Sequence, residues 1–210
     1  DVWRLSPHVQ FDGGARLDYV SRYGGATPSL RGGARVAVGE TNATVFKFGA
    51  GRFVGSVPLV AAAFGGYPTR VDRDLDPNGG LVIRERRFTP AVDDLALPRA
   101  WAITAQVEHQ VRPGFDTQAG ITVRRANRIA TLDVSPDGGP LTVSSSGRSS
   151  YHEYQVSARK LWGADQQLFI SYVRASGRGE LNDFTALFQG FDAPLLQPGG
   201  QARLSTDARH

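Results

Sequence analysis

The stretch that decides the fold runs from Trp101 to Arg125, WAITAQVEHQVRPGFDTQAGITVRR. In its first arm Trp101, Ile103, Ala105, Val107 and Val111 alternate with Ala102, Thr104, Gln106, Glu108 and Gln110, and only His109 interrupts the apolar set. Successive side chains of a strand point to opposite sides, so this period of two predicts a strand with one apolar and one polar face. Arg112, Pro113, Gly114 and Phe115 supply a turn. The second arm then sets Thr117, Ala119, Ile121 and Val123 against Asp116, Gln118, Thr122 and Arg124. Both arms run about ten residues or more, whereas strands of soluble domains cluster near five or six and bilayer-crossing strands need roughly nine to eleven.

The same pattern recurs on both sides of this hairpin. Upstream, Val9, Phe11, Gly13, Ala15, Leu17 and Tyr19 oppose Gln10, Asp12, Gly14, Arg16 and Asp18. A Gly-rich connection through Gly24, Gly25 and Pro28 leads to a strand from Leu30 to Val38, with Arg31 and Arg35 on its polar side. Gly39, Glu40, Thr41 and Asn42 predict a tight turn into a third strand, Ala43 to Phe53. There Thr44, Phe46, Phe48 and Ala50 share one face, and Val45, Lys47, Gly49 and Gly51 the other. The glycines on that polar face predict close packing against something inside. Downstream, Tyr151 to Leu161 and Gln166 to Ala175 form another hairpin around Trp162, Gly163, Ala164 and Asp165. Its apolar sets are Tyr154, Val156 and Ala158 with Leu168, Ile170 and Tyr172. Ala202 to His210 begins a further strand.

Between these strands periodicity lapses over residues 54–100, 128–150 and 176–201. Long and tight connections alternate along the chain, so up-and-down strands would gather the tight turns at one end and the long loops at the other. Outer-membrane barrels have that asymmetry, with short periplasmic turns and long extracellular loops. Tyr19, Phe53, Trp101, Tyr151 and Tyr172 stand near strand ends, where interfacial aromatic girdles fall. The expectation is an all-β, antiparallel, up-and-down transmembrane β-barrel. About eight strands of a larger barrel are present, and 54–100, 128–150 and 176–201 are extracellular loops of the single domain 1–210.

Composition narrows the chemistry. The chain has no cysteine, which removes disulfides, thiolate nucleophiles and zinc-thiolate sites, and it starts at Asp1 with no methionine, as a piece of a longer protein would. Its net charge of +4 is modest and its Lys and Arg are dispersed, which argues against a nucleic-acid partner. No apolar run approaches the roughly 18 residues of a membrane helix, so any span must be a barrel.

Candidate reactive clusters are weak. Asp72, Asp74, Asp76 and Asn78 alternate as calcium ligands would, but Pro77 occupies the place of the turn glycine and Ile83 that of the closing glutamate. Gly49 to Gly55 lacks the spacing and the following helix of a phosphate loop. His8, His109, His152 and His210 have no nucleophile-elbow serine to serve, and Ser144, Ser145 and Ser146 precede Gly147 without a strand-to-helix turn. The expectation is therefore no enzyme activity, no cofactor and no metal. Arg124 belongs to the polar face, while Arg125 and Arg128 lie near a strand end, where long side chains snorkel.

Several phrases resemble strand signatures of TonB-dependent outer-membrane receptors. They are Gly14-Ala15-Arg16-Leu17-Asp18, Thr44-Val45-Phe46-Lys47-Phe48-Gly49-Ala50-Gly51-Arg52-Phe53, Ser171-Tyr172-Val173-Arg174-Ala175-Ser176 with Asn182-Asp183-Phe184, and Asp207-Ala208-Arg209-His210. The likeness is nearest to Oar-like receptors that carry an N-terminal carboxypeptidase-regulatory-like domain. It implies a receptor of the outer membrane, with a large barrel of about 22 strands and a plug in its lumen. The plug of the same polypeptide, a TonB-type periplasmic energy-coupling protein, surrounding lipid and an imported ligand are the partners it implies. A plug domain, a TonB-contacting box and a terminal strand ending in an aromatic residue are not found in this sequence. The residues expected to face the lumen are Arg16, Arg31, Arg35, Lys47, Gln106, Glu108, Gln118, Arg124, Gln155 and Arg159, with Gln10 and Asp12 beside them. Their expected work is to hold a polar plug, with direct contact to cargo as the sharper role, and the long loops are expected to capture ligand. Two other expectations remain open: a secreted carbohydrate-binding-like module, and a small complete outer-membrane barrel.

Overall fold

In a computed structural model the chain is one predominantly antiparallel β-sheet. The structure describes residues 1–23, 25–39, 42–77, 79–80, 82–135, 137–163, 166–180, 184 and 201–203. The strands are β1 (Val2–Arg4), β2 (Val9–Val20), β3 (Gly25–Val38), β4 (Thr44–Val54), β5 (Arg70–Leu75), β6 (Val82–Val92), β7 (Arg99–Arg112), β8 (Phe115–Val134), β9 (Gly139–Trp162), β10 (Gln166–Glu180) and β11 (Gln201–Arg203). Sheet order follows chain order, β1-β2-β3-β4-β7-β8-β9-β10-β11, with β5 and β6 off this path. Each neighbour along the path runs antiparallel. No helix among the described residues is long and apolar enough to cross a membrane, which says nothing of spans made by strands.

The central hairpin forms where the alternation places it. Gly114 takes the positive φ of 71° that the two-residue turn needs, and β7 pairs with β8 from Arg99↔Asn127 to Arg112↔Phe115, with one bulge near the turn. Because the pattern has a period of two, pairing carries one face across the whole sheet. Val9, Val36, Phe46, Val107, Ala119, Val156 and Tyr172 make one continuous apolar row through seven strands. Phe11, Ala34, Phe48, Ala105, Ile121 and Tyr154 make the next.

The stretches expected to be irregular contain much of the regular structure. Residues 54–100 hold β5 and β6, helix α1 (Leu59–Ala62) and a 3-10 turn at Phe64–Gly66. Charges fall on both faces of the β5–β6 hairpin, so the sequence there shows no apolar period. Residues 128–150 are mostly extensions of β8 and β9. Bulges between Asn127 and Ile129 and between Ile129 and Thr131 shift the register, and the buried apolar residues become the even-numbered Ala130, Leu132 and Val134, with Thr131 buried between them. Arg128 adopts a left-handed φ of 58° at that kink. β10 likewise continues through Ser176 to Glu180. The connection after β2 is also shorter than expected: β3 begins at Gly25, leaving a 3-10 turn at Ser21–Tyr23. Residues 181–183, 185–200 and 204–210 lie outside the described residues, and with them most of the third loop and the end of the expected last strand.

The hydrophobic core does not lie between two sheets. It sits in a lobe beyond one end of the wall, where Val57, Phe64, Phe88, Leu132, Val143 and Phe184 pack together. The outer half of the β8–β9 hairpin is its floor. β6 joins that floor by pairing in parallel with β9, from Phe88↔Gly139 to Val92↔Val143. Phe184 meets Phe64 edge-on at 5.3 Å between ring centroids. The two connections expected to be loops thus close over each other and bury side chains that neither could bury alone.

Candidate functional site

The wall presents two faces of opposite chemistry, and the residues singled out from sequence lie on the polar one. Arg35, Lys47, Gln106 and Gln155 fall in one register row, and Glu108 and Gln118 in the next. Arg31 and Arg124 share a third row with Gly51 and Tyr151. Arg159 pairs opposite Asp116, and Arg16 lies further along β2 on the same side.

Six of these residues have polar or ring partners, whereas Arg31, Arg35, Gln118 and Gln155 make no side-chain hydrogen bond or ion pair with a described residue. Glu108 Oε1 accepts hydrogen bonds from Lys47 Nζ and from Gln106 Nε2, each at 2.6 Å. Both charged groups remain about two-fifths exposed, so in water this pair is worth only about 0.2–1 kcal/mol. Asp116 accepts Arg159 at 2.9 Å, and Arg16 is bonded to Asp18 at 2.8 Å. The Tyr151 hydroxyl donates to Glu153, and Arg124 stacks over the Tyr151 ring at 5.8 Å. Near the short turns, Glu108, Asp116, Gln118, Ser157, Arg159 and Phe169 line a concavity of about 460 Å³.

The glycines of this face do not await a packing partner. A Cβ on Gly49 would stand 2.7 Å from Thr104 Oγ1, one on Gly33 would stand 2.5 Å from Asp12 Oδ1, and one on Gly51 would meet the Phe53 ring at 2.8 Å. Side chains of the sheet itself fill the space over them. Two of the expected girdle aromatics also change face: Phe53 and Tyr151 have the parity of the polar rows, whereas Tyr19, Trp101 and Tyr172 lie on the apolar side. Proximity to a strand end fixes height along a strand, and parity alone fixes the face.

The candidate reactive clusters have structural partners. Asp72 accepts Arg70 at 2.7 Å, Asp74 accepts Arg86 at 3.0 Å, and Asp76 accepts the backbone N–H of Gly80, while Asn78 lies outside the described residues. Ser144 donates to Asp133, and Ser145 donates to the Ala96 carbonyl and accepts the Ala96 N–H, tying β9 to the segment before β7. His109 Nδ1 bonds Thr44 Oγ1 at 2.8 Å across the β4–β7 pair.

The apolar face is exposed rather than covered: Phe48 is 51%, Tyr154 55%, Val156 56% and Ile170 60% accessible. Soluble monomers rarely expose contiguous apolar patches beyond a few hundred Å². The band also drifts across the register. In β2 it runs from Val9 to Tyr19, centred between Gly13 and Ala15, while in β10 it covers Leu168, Ile170 and Tyr172 and ends at Arg174. The row through Ile170 passes Ala158, Thr117, His109 and Thr44 to reach Val38, at the very end of β3. The centre therefore moves about seven residues over six strand-to-strand steps. With about 3.4 Å per residue and about 4.8 Å between strands, this drift makes an angle of about 40° between the strands and the normal to the band.

No protein family's profile matches the chain, and no curated protein matches it. Among solved structures, the siderophore receptor PirA from Pseudomonas aeruginosa is similar, with a TM-score of 0.47 and 14% identity over 84% of this chain. The chain spans 40% of that structure's length.

Proposed function

We propose that the chain is a wall segment, about eight strands wide, of a larger outer-membrane receptor barrel that binds and imports a ligand. The observation that carries this reading is the exposed apolar band and its drift. Membrane barrels tilt their strands by about 35–45° and carry an apolar belt about 25 Å tall, and a belt level with the bilayer must cross tilted strands diagonally. In this reading the apolar rows face lipid. The polar rows, including Arg35, Lys47, Gln106, Glu108 and Gln155, face the lumen and hold a plug domain by hydrogen bonds and ion pairs. The lobe stands on the extracellular side, where it helps capture ligand, and a TonB-type partner acts through the plug. The Oar-like assignment belongs to this proposal. So does the absence of enzymatic work: the serines and carboxylates described above hold structure.

The natural absence of cysteine makes a direct test available. Single cysteines at Phe48, Val107, Ile121 and Val156, and at Lys47, Gln106 and Gln155, each carry a nitroxide in lipid-reconstituted protein. Apolar-row labels are expected to meet dissolved oxygen more than a water-soluble nickel chelate, with the deepest position near Gly13 in β2 and near Ile170 in β10. Polar-row labels are expected to show the reverse preference or low access to both. Apolar-row labels that meet the chelate freely would sink the bilayer reading and favour a water-soluble binding module.

A further inference from the structure

At the lobe end of the apolar band the same face of the sheet becomes basic. One register row reads Leu30, Arg52, Trp101, Arg125, Ser150, Arg178, and the next reads Val54, Arg99, Asn127, Arg148. Arg128 adjoins them at the β8 kink. Ion pairs are frequent elsewhere, as at Lys47 with Glu108 and Arg159 with Asp116, yet none of these six guanidiniums pairs with a described carboxylate. Arg52 and Arg128 stand close enough to Arg99 to repel it, and the Arg99 Nε is buried without a hydrogen-bond partner. Glu180, at the end of β10, accepts the backbone N–H of Arg148 at 3.3 Å.

Clustered like charges without counter-ions repel one another, and their desolvated donors carry a further cost. A ligand with several anionic oxygens would remove both costs together. Guanidinium groups match phosphate oxygens bidentately, which an ammonium cannot do. Arg125 lies over the Trp101 ring at 5.6 Å, an arrangement that fixes the plane of the guanidinium and leaves its edge donors free. Beside it, Trp101, Arg125, Arg128, Ser146, Arg148 and Ser150 line an open concavity of about 770 Å³, so hydroxyls and guanidiniums converge on one space. Its floor continues directly into Ile103 and Val123 of the apolar band.

We propose that this arginine belt binds the phosphate groups of anionic lipid headgroups at the bilayer surface. The proposal rests on the bilayer reading above, because it is the adjoining apolar band that selects a lipid over a soluble phosphate. A lipid whose chains lie along Ile103 and Val123 would bring its phosphate to the level of Trp101, within reach of Arg52 and Arg125. Phosphates there would neutralise the belt and seal the lipid around the wall just below the lobe.

The test uses Trp101 as the local reporter. Trp3→Phe and Trp162→Phe leave it the sole tryptophan of the three in the chain. The protein is reconstituted into mixed phosphatidylcholine and phosphatidylglycerol vesicles with brominated chains on one lipid or the other. Quenching by brominated phosphatidylglycerol is expected to reflect a local enrichment, and each arginine removed is expected to lower that preference about fivefold. The triple change Arg52→Gln, Arg125→Gln, Arg148→Gln should therefore lower the preference by about two orders of magnitude, with Arg99, Arg128 and Arg178 left in place, and Arg→Lys at the same positions should retain more of it. The same number of Arg→Gln changes at Arg70, Arg73 and Arg87 controls for net charge and should leave the preference in place. Equal quenching by both lipids in the unsubstituted belt, or a preference that the triple change leaves undiminished, would overturn the lipid site while leaving the bilayer reading intact. No quenching by either lipid would refute the bilayer reading itself. A preference abolished by millimolar inorganic phosphate at constant ionic strength would assign the belt to a soluble phosphate and overturn the lipid proposal.

Discussion

Replacing Leu132 by alanine should loosen the lobe and leave the wall standing. Leu132 is 1% accessible, lies on the floor made by β8 and β9, and is paired with Val143, which is fully buried. The truncation removes three carbon groups from that environment. At about 0.8 kcal/mol each, the lost transfer energy is about 2.4 kcal/mol, and a partly unrelaxed cavity brings the total to about 3–4 kcal/mol. Among the described residues the lobe core is built from the connections and the outer β8–β9 hairpin, and the wall contributes almost none of its own residues to it. Amides of Thr131–Val134 and Leu141–Val143 that exchange through lobe opening should accelerate by about 150-fold or more, at tenfold per 1.4 kcal/mol. Amides of Gly120–Val123, in the same strand but within the wall, should hardly change. Hydrogen exchange read by mass spectrometry on lipid-reconstituted protein separates these segments. Equal acceleration in both would show that lobe and wall open as one unit, and an unchanged lobe would show that the β8–β9 floor is not what holds it.

Two further outcomes follow from single residues. Glu85 accepts Arg73 Nε and Arg87 Nε, each at 2.9 Å, and those guanidiniums hold its carboxyl below the ordinary range. Because the folded value is the lower one, this contribution is complete above the unfolded value near about 4.3 and is lost as pH falls through the folded value. Carbon-detected titration should find Glu85 depressed and Arg73→Gln should return it towards normal; an unchanged titration in that variant would remove the cross-strand pair as the cause. Gly49→Ala should destabilise the wall by about 1–3 kcal/mol despite the better intrinsic conformational entropy of alanine, because its methyl would crowd Thr104 Oγ1. Adding Thr104→Ala should restore most of the loss in a denaturant titration, and additivity of the two changes would show that the contact is not responsible.

The wall was legible in the sequence because its strands obey one rule for their whole length. Phe46, Val107, Ala119 and Val156 sit in one register row simply because each occupies the apolar parity of its strand. The lobe was hidden for the opposite reason. The bulge between Asn127 and Ile129 puts one extra residue into β8 and changes its parity, and the next bulge does the same to β9, so Leu132 continues no pattern that Ile121 began. In the β5–β6 hairpin, Arg73 with Glu85 and Asp74 with Arg86 hold the strands together by charge, and no hydrophobic period marks them. The candidate polar-face residues could be assigned to a common face from parity, but their partners could not: that Glu108 gathers Lys47 and Gln106 depends on which strands become neighbours. The arginine belt had a signal in the outward parity of Arg52 and Arg125, yet Arg99, Arg148 and Arg178 join it only through pairing across β7, β8, β9 and β10.

The sequence by itself therefore determined the strands of the wall, their two faces and the Pro113-Gly114 turn, since alternation, Pro-Gly turn chemistry and side-chain polarity are local properties. The tertiary structure alone decided the diagonal course of the apolar band, the packing of distant connections into one core, and the gathering at its edge of arginines that pair with no described carboxylate. Each of these depends on register between segments far apart in the chain, and register is set by pairing and bulges that no single strand contains.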